Sequence, residues 1–198
     1  MTDAERVLEL AHEQGVLRPK DLSEHGIART HLQRLVQRGL LRKVARGLYV
    51  LADHEPSLHG SLAAVARHAP AAVVCLLSAL RFHEITTQAP FEVWIAVSTG
   101  QRAPKIQGVP LRVVRMAEQP LAAGVERHVI DGVSVPVFDP EKTVVDCFRY
   151  RNRIGLDVAL EAIRDYLRRP GRKVDRLLHY AKIDRVATTI RPYLEAMA

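Results

Sequence analysis

The sequence predicts an α/β (α+β) chain in two parts. Three short helices closed by a β-hairpin come first, and a larger mixed domain follows in which a small sheet is flanked by helices. Three observations carry this. Apolar residues repeat at helical spacing through the first 38 residues, then give way to two short strand-like runs around Gly47. The stretch "DHEPSLHG" breaks the periodicity with Pro56 and polar residues, which divides a domain over 1–54 from one over 57–198. Beyond it, β-like runs are followed by amphipathic helices.

Thr2 or Asp3 can cap a first helix running to about Gln14. Val7, Leu8 and Ala11 share one of its faces, and Gly15 ends it. Pro19 suits the first turn of a second helix, Leu22 points inward and Gly26 breaks the run. A third helix is expected over about 28–38, closed by Gly39. "LLRKV" and "LYVL" read as strands around "ARG", with Gly47 supplying the tight turn. Three short helices and such a hairpin make a winged helix-turn-helix.

In the second domain, helices are expected over about 58–68 and 74–83. "FEVWIAVS", "GVPLRVVRM" and "HVIDGVSVPVFD" read as strands bounded by Gly, Pro and Asp. Closing helices are expected over about 140–150, 156–167 and 174 to the end, the last with a break near Asp184 or Pro192.

The 198 residues carry a formal net charge of +7, which favours an anionic partner, nucleic acid first. Hydrophobic content of 47% suffices for real cores, and charged content of 26% sets the chain apart from a disordered basic tail. Cys75 and Cys147 lie in apolar helical contexts and read as free buried thiols; no Cys/His spacing suggests zinc. "MTDAERVLEL" has acids and no long apolar run, unlike a secretory leader, and no stretch approaches the ~20 apolar residues of a membrane span. A cytoplasmic protein with no membrane contact, no cofactor and no metal is expected.

The third helix and the hairpin hold Arg29, Arg34, Arg38, Arg42, Lys43 and Arg46 and no acid. With ~100° per residue, Leu32, Leu35 and Val36 fall on the apolar face. Thr30, Gln33, Arg34, Gln37 and Arg38 fall opposite, with His31 at the edge. Arg can bond two acceptors on guanine and Gln can pair with adenine edges. The N-terminal part of such a helix meets the bases, which puts Arg29, Thr30, Gln33 and Arg34 ahead of Arg38. Arg42, Lys43 and Arg46 on a wing would follow the sugar-phosphate backbone. The same residues also suit a solvated helix face beside an ordinary hairpin.

The N-terminal stretch "LVQRGLLRKVARGLYVL" resembles the winged helix of AbiEi antitoxins, of the AbiE abortive-infection and type IV toxin-antitoxin systems. Arg38, Gly39, Leu41, Arg42, Arg46, Gly47 and Tyr49 carry the signature. "CLLSALRFHEI", "VWIAVSTG" and "VPVFDPEKTVVDCFRYRNRIGLDVALEAIRDYL" resemble that family's C-terminal domain. The resemblance implies an antitoxin that represses its own operon through the first domain. It implies a nucleotidyltransferase-like toxin as functional partner, neutralised through the second. Two copies on symmetric half-sites would bind double-stranded DNA at an inverted repeat in the chain's own promoter.

The second domain offers little catalytic chemistry. Asp139 and Glu141 read as the cap and first turn of a helix, with Asp146 further along. Ser78 and Ser98 lack a Gly-x-Ser-x-Gly elbow, and His83 and His128 stand alone. The chain is therefore expected not to be an enzyme. Arg149, Arg151, Arg153, Arg168, Arg169, Arg172 and Lys173 form basic runs. They suit helix C-termini, or equally a second anionic-ligand or antitoxin surface. The alternative readings are a winged-helix regulator of other genes with a ligand- or partner-binding domain, and a winged-helix-targeted nuclease.

Overall fold

A computed structural model describes residues 2–45, 47–52, 59–86, 88–106 and 108–197. The chain divides into two compact units: 1–70 with 104–110 and 128–135, and 71–103 with 111–127 and 136–198. The division expected within 53–60 falls largely on 53–58, outside the described residues.

The first unit opens with α1 (Asp3–Gln14), α2 (Pro19–Glu24) and α3 (Thr30–Gln37). Thr2 caps α1 reciprocally: its hydroxyl accepts from Glu5 N, and the Glu5 carboxylate accepts from Thr2 N at 2.7 Å. Two of the backbone groups that a helix start leaves unpaired are thereby satisfied. Strands β1 (Leu41–Ala45) and β2 (Leu48–Leu51) pair antiparallel, with Arg42 opposite Val50 and Lys43 opposite Tyr49. Leu17 and Tyr49 exchange both backbone hydrogen bonds, at 2.8 and 3.0 Å, so the loop after α1 adds a bridge to the hairpin. Val7, Leu22, Leu32, Leu35, Leu41 and Tyr49 are among the buried residues of its core.

Helix α4 (Gly60–His68) belongs to this unit. Its Arg67 donates to Asp21 of α2, which is 5% exposed, and to Gln14 Oε1 of α1 at 2.9 Å. A charged pair ties three helices together, and the aspartate's burial makes its partner necessary.

The second unit is built on a sheet of order β5-β4-β3-β7-β6, whose β6–β7 end, residues 128–135, groups with the first unit. Its strands are β3 (Val73–Val74), β4 (Val93–Ser98), β5 (Leu111–Met116), β6 (Val125–Ile130) and β7 (Val133–Phe138). β3 runs antiparallel to β4 and parallel to β7, and β4 is parallel to β5. The turn joining β6 to β7 has Asp131 at φ 48° and Gly132 at φ 71°, the left-handed pair that a two-residue hairpin loop requires. This turn groups with the first unit. There a Cβ on Gly132 would lie 2.7 Å from the carbonyl of Gln14, so the close approach also demands glycine.

Helices α5 (Leu76–Phe82), α6 (Glu118–Ala122), α7 (Pro140–Arg149), α8 (Arg151–Ile154), α9 (Leu156–Arg168), α10 (Val174–Ile183) and α11 (Ala187–Met197) complete the chain. Helix α7 is central: every residue from Glu141 to Phe148 is buried. Val144, Val145, Cys147 and Phe148 join Leu80, Trp94, Phe138, Ile163 and Leu177 in the main core. The helix expected from about residue 74 begins at Leu76 instead, because Val73 and Val74 complete the sheet between β4 and β7. Helices α6 and α8, five and four residues long, were not among the expected elements. The third closing helix breaks at Asp184, while Pro192 is accommodated inside α11.

Candidate nucleic-acid interface

Helix α3 buries Leu32 and Leu35, each 1% exposed, with Val36 half-buried beside them. Arg29, Thr30, Gln33, Arg34, Gln37 and Arg38 are all exposed, and no acid lies among them. His31 is half-buried at the edge, 3.7 Å from the Asp3 carboxylate. Arg34, Gln37 and Arg38 border a depression of about 430 Å³ with Ala4 and His31. Arg29 donates from Nε to Ser23 Oγ at 3.1 Å, which orients its guanidinium at the start of the helix. Ser23 was not singled out from the sequence; it lies on α2, and only the fold brings it to Arg29.

Arg42 and Lys43 are both exposed on β1. They precede the register shift, so as neighbours on a strand they project to opposite faces. Arg42 lines a cavity of about 190 Å³ with Val16, Val50, Ala64, Val109 and Asp131. Lys43 therefore faces away from that cavity. Arg46 lies outside the described residues.

The basic residues of the second unit sort by their partners. Arg149 donates to the Asp184 carbonyl at 2.6 Å and Arg151 to the Phe148 carbonyl at 2.8 Å. Arg149 and Arg153 each lie 5.8 Å from the centre of the Tyr150 ring. Arg168 pairs with Asp165 at 3.5 Å, and Arg169 donates to the His83 carbonyl. Arg172 and Lys173 are exposed in the turn before α10.

The acids that invite a catalytic reading are engaged within the core. Asp139 caps α7, accepting from Lys142 N at 2.7 Å, and also accepts from Arg176 and Tyr180, each at 2.8 Å. Glu141 accepts from the Tyr166 hydroxyl at 2.7 Å. Asp146 and Asp184 flank the Lys142 ammonium at 2.5 and 2.9 Å. Burial pushes the Asp146 carboxyl up to about 8, against the pull of Lys142 and with the push of Asp184. Burial also opposes the charge on Lys142, but Asp146 and Asp184 outweigh it and raise its pKa. Ser78 Oγ accepts from Trp94 N at 2.9 Å, and the His83 ring lies 2.7 Å from the Phe138 carbonyl. Cys75 and Cys147 are buried thiols, and burial raises both. Among the described residues, no group of three His, Cys, Asp or Glu side chains is placed to hold a metal, and no helix is long and apolar enough to cross a membrane.

Three helices, the third with a polar basic face, followed by a β-hairpin define the winged helix-turn-helix class of DNA-binding units. Residues 5–52 match the family described as "Transcriptional regulator, AbiEi antitoxin", a match that spans the three helices and the hairpin and supports a DNA-binding regulator. No curated protein matches the chain. Among solved structures, the chain is similar to the RV2827C protein from Mycobacterium tuberculosis, with a TM-score of 0.55 and 17% identity. That likeness covers 98% of this chain and 81% of the other. At such identity it concerns the mixed α/β fold alone.

Proposed function

We propose that the chain is a cytoplasmic, non-enzymatic antitoxin and autorepressor. Its winged helix binds an inverted repeat in its own promoter, and the portion beyond about residue 57 counteracts a nucleotidyltransferase-like toxin. The observation that carries the DNA reading is the acid-free face of α3, where Arg29, Thr30, Gln33, Arg34, Gln37 and Arg38 are all exposed above a core-packed Leu32 and Leu35. Gln33 and Arg34 have the chemistry for base edges, while Arg38 and Lys43 suit phosphates.

The family match over 5–52 supports the antitoxin reading. The non-enzymatic reading is supported by the partners of Asp139, Glu141 and Asp146, which hold the fold together. In this reading Arg149, Arg151 and Arg153 are candidates for the surface of the second part, Arg153 being the exposed one of the three. The test is co-expression with the product of the adjacent gene, scored for growth, alongside footprinting of the upstream region. Rescue of growth and a protected repeat are expected. A toxic neighbour whose effect the chain leaves unchanged removes the antitoxin reading, and an unprotected upstream region removes autorepression.

A further inference from the structure

The basic residues from the end of α9 into α10 differ in their partners. Arg168 pairs with Asp165, Arg169 is held by the His83 carbonyl, and Arg176 donates to Asp139 at 2.8 Å. Arg172 differs from these. It is exposed in the turn after α9, which Gly171 makes at φ 75°, and it has neither ion pair nor hydrogen bond among the described residues. Arg191 on α11 is likewise exposed and unpartnered among them.

Both arginines line one cavity of about 410 Å³. Leu167 of α9, Val174 and Leu178 of α10, and Leu194 and Met197 of α11 supply its apolar walls. All but Leu194 remain half-buried, so hydrocarbon from three helices stands open to solvent in one place. Glu195 is the remaining lining residue. Two guanidiniums against one carboxylate leave a single net positive charge over an apolar floor.

The size points to a small molecule. Binding sites for such ligands run to about 300–1,000 Å³, with apolar walls and a few polar anchors. A stable protein interface takes about 20–30 residues a side, whereas eight line this cavity. The charge points to an anion. Guanidinium forks match a carboxylate with two parallel hydrogen bonds, and one negative charge balances the rim.

We propose that this groove is a binding site for a small amphipathic monoanion, a hydrocarbon body carrying one carboxylate. The hydrocarbon lies between α9, α10 and α11, and the carboxylate meets Arg172 and Arg191. This goes beyond the DNA and toxin reading and does not depend on it.

The test is calorimetric titration of the full chain with octanoate, with octan-1-ol as the neutral counterpart and acetate as the headgroup alone. Saturable one-to-one binding of octanoate is expected, with octan-1-ol and acetate each weaker by about tenfold or more, the factor for loss of one charged or one apolar contribution of ordinary size. Arg172→Ala and Arg191→Ala, both at exposed positions that leave the core intact, should each weaken octanoate by several-fold. The labelled methyl of Met197 should shift on addition of octanoate while that of Met116, 1% exposed in the core, stays in place. Failure of octanoate to saturate, equal binding of octan-1-ol, indifference to both arginine substitutions, or a static Met197 methyl would each overturn the assignment.

Discussion

The Lys142 ammonium lies 2.9 Å from the Asp184 carboxylate, and both side chains are completely buried. The contact joins α7 to the residue that ends α10. With Asp146 at 2.5 Å on the other side, one cation stands between two acids at the centre of the second unit. Removing the cation leaves the buried Asp184 carboxylate without its ion-pair partner. Lys142→Met should therefore destabilise the protein by about 3–5 kcal/mol, the cost of breaking a buried pair from one side. Denaturant unfolding of wild type and variant measures it; a loss under about 1 kcal/mol would show that the network adds little.

The raised Asp146 pKa gives this network a pH signature. The carboxyl titrates near 8 in the folded state and near 4 when unfolded. Between those values the folded state holds a proton that the unfolded state has released. Its contribution is complete below pH 4 and is lost as pH rises toward 8. Asp146→Asn cannot titrate. The stability difference, variant minus wild type, should therefore grow in the variant's favour from pH 5 to pH 8. A difference that is flat across that window contradicts the shift.

Gly132 needs a left-handed backbone, and a Cβ there would lie 2.7 Å from the Gln14 backbone. Both penalties fall on the same substitution. Gly132→Ala should cost on the order of 2 kcal/mol or more, read as a melting temperature lower by several degrees. Gly26→Ala is the control: its φ is 69°, yet nothing lies within 4 Å of its added methyl. It should cost less than Gly132→Ala, and equal losses would mean the close approach contributes nothing.

The parts legible in the sequence are those set by local pattern. Leu32, Leu35 and Val36 at helical spacing, with Gly39 after them, place α3 and its polar face; "HVIDGVSVPVFD" reads as strand, and the structure divides it at Asp131 and Gly132 into β6 and β7. What sequence could not give depends on partners far along the chain. Val73 and Val74 are a strand only because β4 and β7 flank them. Arg169 and Arg172 are three residues apart in one basic run, yet one is held by a carbonyl 86 residues away and the other is unpartnered among the described residues. Arg42 and Lys43 look equivalent until strand pairing sends them to opposite faces. Ser23 is an ordinary exposed serine until the turn before α3 brings Arg29 to it.

In the proposed DNA complex α3 meets base edges while the hairpin holds phosphates, and one measurement tests this division directly. Fluorescence-anisotropy titrations would compare the full chain, Arg34→Ala and Lys43→Ala on the chain's own upstream DNA and on a scrambled duplex, across salt concentrations. Arg34→Ala should lose about 1–3 kcal/mol on the upstream sequence and little on the scrambled one. Lys43→Ala should weaken both duplexes alike and flatten the salt dependence by roughly one phosphate contact. Equal affinity of the unmodified protein for the two duplexes, or an Arg34→Ala variant that discriminates between them as well as the parent, would contradict the account.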